Sequence, residues 1–77
     1  MVTKLADVTL HIDEETSHDS REKFRDILLS MDGVMAAVYH DEKPHLILIE
    51  YNPDAIQSIA FVDAAKRQGL HAELIGL

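Results

Sequence analysis

The sequence predicts an α+β fold in which two helices cover one face of a four-stranded antiparallel sheet. Two stretches, LADVTLHI near the start and LHAELIGL at the end, alternate apolar and polar residues with the period of a half-buried strand. Two stretches between Thr16 and Gly69 instead space their apolar residues as one face of a helix. VMAAVYH and HLILIEY read as two further strands, and the polar DEKP between them is short enough for a hairpin.

In the first strand Val8, Leu10 and Ile12 point one way, and Asp7, Thr9 and His11 the other. Thr16 or Ser17 can then cap a helix, with acids at its start and Arg21, Lys23 and Arg25 further along. Phe24, Ile27, Leu28 and Met31 fall on one helical face, and Asp32-Gly33 closes the helix, glycine being suited to the left-handed position. After the hairpin, Asn52-Pro53 stops the third strand, because proline has no N–H for the ladder. Gln57 or Ser58 opens a second helix with Phe61, Val62 and Ala65 inward, closed by Lys66, Arg67 and Gly69. The last strand places Leu70, Ala72 and Leu74 on one face. Met31, Met35, Phe24 and Phe61 are expected in the core, with Tyr39 and Tyr51 partly buried. The order strand, helix, strand, strand, helix, strand is the ferredoxin-like arrangement, and right-handed crossovers leave few alternatives.

At 77 residues the chain is expected to form one domain, residues 1–77, near the lower size limit for a core without staples. A hydrophobic content of 47% with 27% charged residues argues against disorder. The absence of cysteine excludes disulfides, thiolate metal ligands and a thiol nucleophile. No apolar run approaches the ~20 residues of a membrane span, and MVTKLADVTL lacks a signal-peptide core, so a soluble, cytoplasmic protein without membrane insertion is expected. Fourteen acidic residues against seven basic ones, a formal charge of −7, oppose a polyanion, so nucleic acid is not an expected partner. No phosphate-cradling glycine loop and no nucleophile with an evident base partner is present, so no enzyme is expected.

The stretch HIDEETSHDS, followed by Leu28-Leu29-Ser30-Met31-Asp32-Gly33-Val34, Ile49-Glu50-Tyr51-Asn52-Pro53 and Gly69-Leu70-His71-Ala72-Glu73-Leu74, resembles the heavy-metal-associated domain of copper chaperones and metal-transporting ATPases. The resemblance spans nearly the whole chain. In that family a first strand runs into G-M-T-C-x-x-C; here Thr16 keeps the threonine, Ser17 and Ser20 stand at the two cysteine positions, and Glu14 and Glu15 replace glycine and methionine. The resemblance implies metal carriage or sensing, with a metal transporter or another protein as partner. The donor atoms have changed, however. Two thiolates suit soft copper(I), whereas serine hydroxyls are hard, neutral and not readily deprotonated, so soft-ion transfer by thiolate exchange is not expected. Capping is the expected role of Ser17 or Thr16, with Ser20 in the first turn and Asp19 placed to suit the helix dipole.

The predicted topology gathers His11, His18, His40, His45 and His71 at the end that holds this loop, together with Asp13, Glu14, Glu15, Asp19, Asp41 and Glu42. Imidazole flanked by carboxylate suits zinc, nickel, cobalt or copper(II). The metal-ligating candidates are His18 first, then Asp19, Ser17, Ser20, His11 and His71, with His11 and His71 expected to face each other and His40 to approach His45. No HxxxH or HExxH spacing pre-forms a site.

The uncovered sheet face is expected to carry Val38, Leu46, Leu48 and Ile75, a cluster suited to an interface with a second copy. Two functions thus compete: a divalent-metal module with histidine and carboxylate ligands, and a degenerate domain that has kept the scaffold for protein interaction or dimerisation.

Overall fold

The computed structural model describes residues 4–75. The elements are β1 (Ala6–Ile12), α1 (His18–Leu29), β2 (Val34–His40), β3 (Lys43–Tyr51), α2 (Ile59–Arg67) and β4 (Ala72–Ile75). They form one antiparallel sheet in the order β2-β3-β1-β4, with two helices, as the sequence predicts.

Alternation in β1 sets the layers. Val8, Leu10 and Ile12 are buried, and they meet Ile47, Ile49 and Tyr51 of β3 beneath Phe24 and Leu28 of α1 and Phe61, Ala64 and Ala65 of α2. Burying each large aliphatic or aromatic side chain contributes about 1.5–3 kcal/mol, which makes this inward layer the main source of stability. Tyr51 and Phe61 meet edge to face, with ring centroids 5.1 Å apart.

Two boundaries differ in detail from expectation. Lys43 and Pro44 belong to β3, leaving only Asp41 and Glu42 as the turn. The missing proline N–H is tolerated because β1 begins to pair only at Leu46. Helix α1 ends at Leu29 with Ser30 as C-cap, and Gly33, at φ 94°, lies beyond a short turn. Ser58 caps α2 without a side-chain hydrogen bond.

Met35 corrects a sequence expectation: it is 56% exposed and not in the core. The β2–β3 register shifts between Val34 and Ala36, so Met35 is an extra residue facing no partner. Such a bulge turns its side chain out of the alternation. Met31 does pack against the core.

Gly33 and Gly69 both occupy the left-handed region, but their surroundings differ. A Cβ on Gly33 would lie 2.9 Å from Ala55 Cβ and 3.0 Å from Ile56 Cγ2, whereas a Cβ on Gly69 meets open space. Gly33→Ala therefore combines backbone strain with a steric clash and should cost about 2–4 kcal/mol. Gly69→Ala meets strain alone and should cost about 1–2 kcal/mol. Urea unfolding of both variants checks the ordering, and equal losses would contradict it.

Candidate functional site

The antiparallel ladders bring the end of β1, the start of α1, the β2–β3 turn and the starts of β3 and β4 to one end of the sheet. All five histidines lie there, as the sequence predicts. They do not converge on one point. Instead four of them divide into three groups, while His40 is exposed at the end of β2.

The first group joins α1 to the hairpin. Ser17 caps the helix, its hydroxyl accepting from the Ser20 N–H at 3.1 Å. One turn on, Arg21 is 7% exposed. It donates to the Thr16 carbonyl, to Thr16 Oγ1 at 3.2 Å and to Asp41 Oδ1 at 2.9 Å. The Asp41 carboxylate also accepts from His18 Nδ1, which lies 3.0 Å from each of its two oxygens. Glu22 accepts from the Tyr39 hydroxyl and from Arg25. The His18 ring stands edge-on to Tyr39 at 5.9 Å. His18 and Asp41 thus form a latch between helix and hairpin, with Arg21 as its buried anchor. Asp19 and Ser20, also candidates on sequence, are exposed in the first turn of α1.

A second group ties the acidic loop to β4. Glu14 accepts from the His71 N–H at 2.7 Å and from His71 Nδ1 at 2.5 Å. The Asp13 N–H donates to the His71 carbonyl at 2.8 Å. His71 is therefore engaged by the loop, and the residue opposite His11 on β4 is Glu73. The expected facing of His11 and His71 gives way to the register: His11 pairs with Glu73, which leaves His71 two residues ahead, beyond the strand's start.

The third group forms around His11. His45 donates Nδ1–H to the Ile12 carbonyl at 2.7 Å, and its ring stacks on His11 with centroids 5.8 Å apart. His45 thus turns toward β1, not toward His40. His11 Nδ1 lies 3.3 Å from Asp13 Oδ1 and 4.0 Å from Glu73 Oε1. That nitrogen is buried, and it has no hydrogen-bond partner. One ligand atom each from His11, Asp13 and Glu73 lie within 4.8 Å of one another, and both carboxylates reach solvent. A tetrahedral ion holds its oxygen and nitrogen donors about 3.4 Å apart, so small side-chain rotations would close this set.

Arg21 and Glu73 are the residues that sequence reasoning missed. Arg21 looked like one of several basic residues along a helix. Only its spacing from the hydrophobic face, three residues before Phe24 and seven before Leu28, signals that it points inward. Glu73 becomes a neighbour of His11 only through the β1–β4 register.

No family model and no curated protein matches the sequence. Solved structures do match. Oxidised MerP from Ralstonia metallidurans CH34 superposes with a TM-score of 0.84 at 12% identity, covering 95% of this chain and all of that one. A copper-binding domain from HMA7, a P-type ATPase, gives 0.81 at 13% identity over 91% and 93% of the two chains. The N-terminal domain of PacS from Synechocystis PCC6803 gives 0.76 at 14% identity over 92% and 98%. The fold is the heavy-metal-associated fold. Within it, Ser17 Oγ at the first position assigned to cysteine is occupied as a helix cap, and the chain carries no thiol anywhere. Oxygen and nitrogen are the donors that remain.

Both latches titrate. The hydrogen bond to Asp41 raises the His18 pKa above its ordinary 6.5, and the bond to Glu14 does the same for His71. Conversely, the bond from His18, assisted by Arg21, lowers Asp41 below 3.8, and His71 lowers Glu14 below 4.5. A raised histidine stabilises the fold fully below its unfolded pKa, and the contribution disappears as pH rises through the folded value. A lowered carboxylate stabilises above its unfolded pKa, and the contribution disappears as pH falls through the folded value. Both latches are therefore intact between 4.5 and 6.5. In an NMR titration, Asp41→Asn should return His18 toward 6.5 and leave His71 raised, with Glu14→Gln doing the reverse. If each variant moved both histidines, the latches would not be separate.

Proposed function

We propose that this chain is a divalent-metal-binding module of the heavy-metal-associated fold, taking zinc, nickel, cobalt or copper(II) at His11, Asp13 and Glu73. The observation that carries the reading is the buried His11 Nδ1, without a hydrogen bond and facing two carboxylate oxygens. One imidazole and two carboxylates form a borderline-to-hard donor set, suited to these ions and unsuited to copper(I). The exposed sides of Asp13 and Glu73 leave room for water or for a ligand from a partner to complete the coordination. Such an incomplete site fits carriage or sensing, in which an ion must leave as readily as it arrives. The partner is then a protein that accepts the ion, such as a metal transporter, and the chain itself acts as a cytoplasmic binding protein and not as an enzyme. His18, Asp19, Ser17, Ser20 and His71 lie at the same end, but His18 and His71 are already held by Asp41 and Glu14. They serve this reading as supports of the loop.

Calorimetric titration tests the proposal. Zinc, nickel or copper(II) should bind with a dissociation constant on the order of micromolar, equivalent to about 8 kcal/mol, and copper(I) much more weakly. His11→Ala and Glu73→Gln should each weaken binding at least about tenfold, the equivalent of 1.4 kcal/mol, while His18→Ala leaves it unchanged. Unaltered binding in His11→Ala would refute this site, and a loss in His18→Ala would transfer the role to the α1 latch.

A further inference from the structure

The uncovered sheet face carries a feature that metal binding does not use. Val38, Leu48, Thr9 and Ile75 are mutual register partners, running across β2, β3, β1 and β4 as one row perpendicular to the strands. Val38 is 44% exposed, Leu48 48% and Ile75 39%. The row carries no charge. On one side of it the next register row holds Ala36, Glu50 and Asp7, and on the other it holds Leu46, His11 and Glu73. The face is thus divided into a margin with two acids, Asp7 and Glu50, an apolar centre, and a margin with Leu46, His11 and a single acid, Glu73.

We propose that a second copy of this chain covers this face, related by a two-fold axis that lies along the Val38–Leu48–Thr9–Ile75 row. A rotation about that axis places each residue of the row against itself and exchanges the two margins. His11 then stands over Asp7 of the second copy, and Leu46 over the aliphatic stem of its Glu50. The alternative axis, along the strands, would set Asp7 against Glu50 of the second copy twice, opposing like charges across the interface. Avoidance of that like-charge contact therefore selects the first arrangement. It is isologous, so one self-complementary patch closes the assembly at two copies. Aligned sheet packing, about 10 Å apart, interdigitates such a row of side chains.

Four strands about 4.8 Å apart and five residues about 3.4 Å apart give a footprint on the order of 300 Å² per copy. That is well short of the ~800 Å² per partner of a standard interface, so the dimer is weak. Each copy also carries a formal charge of −7, and the resulting repulsion is screened by salt. The dimer should therefore strengthen as ionic strength rises.

Sedimentation equilibrium in the presence of a chelator separates this interface from any metal-bridged pairing, and protein concentrations up to about 1 mM bring a weak dimer into range. The wild type should self-associate, more so in higher salt, and Leu48→Asp should be monomeric with an unchanged circular dichroism spectrum. A wild type that is monomeric throughout, or a Leu48→Asp variant that still dimerises, overturns the proposal. The orientation has its own test, because the chain contains no cysteine. With a short bismaleimide, a mixture of Leu46→Cys and Glu50→Cys should cross-link, and neither variant should do so alone. Cross-linking of either variant to itself in preference to the mixture would reject the stated axis. Because His11 and Glu73 lie in the covered margin, both experiments are run metal-free with the chelator, and the calorimetry reads metal binding separately.

Discussion

Pairing of β1 on both edges is the constraint from which the remaining structure follows. Its ladder to β3 runs from Ala6↔Tyr51 to His11↔Leu46, and its ladder to β4 from Thr9↔Ile75 to Ile12↔Ala72. With both edges used, strand polarity is fixed, so the end of β1 must lie beside the starts of β3 and β4. The same registers fix which side chains share a face. A slip of one residue would send Val8, Leu10 and Ile12 to solvent and His11 into the core, which the apolar burial of the first three opposes strongly. The location of His11 beside Glu73 is therefore enforced by hydrophobic burial on the opposite face, and no local preference of the loop is needed.

A loop with Asp13, Glu14 and Glu15 in succession would repel itself if left unpartnered. Its conformation is held by groups from two other elements, the β4 entrance through His71 and helix α1 through Arg21 on Thr16, and Arg21 in turn bonds Asp41 of the hairpin. Arg21 matters most physically, because a guanidinium that is 7% exposed must have its donors satisfied. Thr16 and Asp41 supply the acceptors, so loop and hairpin are positioned together. The surface histidine contacts are screened and individually weak, and they act as pH-dependent adjustments to that anchored frame.

Most of the fold was legible because period and punctuation agree along the chain. Alternation in β1 and β4, the short hairpin connection and Asn52-Pro53 gave the element order and nearly all the boundaries. Met35 was misread because a bulge is a property of a pair of strands, and one strand's alternation does not reveal where the partner loses a residue. The site was legible only as a neighbourhood. Topology brought the five histidines to one end, but the placement of His18, His71 and His11 beside Asp41, Glu14 and Glu73 depends on registers and rotamers absent from any spacing rule. His18 drew attention because it sits in the loop, yet Asp41, 23 residues away, is the group that engages its Nδ1.

The same geometry explains how a scaffold can keep its shape while its donor atoms change. At a helix N-terminus a serine hydroxyl is useful without any ligand, because it accepts one of the orphan backbone N–H groups, as Ser17 does from Ser20. Ser17 thus supports the fold as a cap, and neither serine offers a soft donor. In the reading proposed above, the nitrogen–oxygen donors come instead from the last outward-facing residue of β1, His11. The adjoining Asp13 follows it out of the strand, and the register delivers Glu73 from β4. The stacked His45 ring holds the imidazole in place, while its own Nδ1–H on the Ile12 carbonyl fixes its tautomer. The candidate centre thus lies not at the start of α1 but at the seam between β1 and β4, where two of its three side chains, His11 and Glu73, stand on regular strands and are held more rigidly than in a loop.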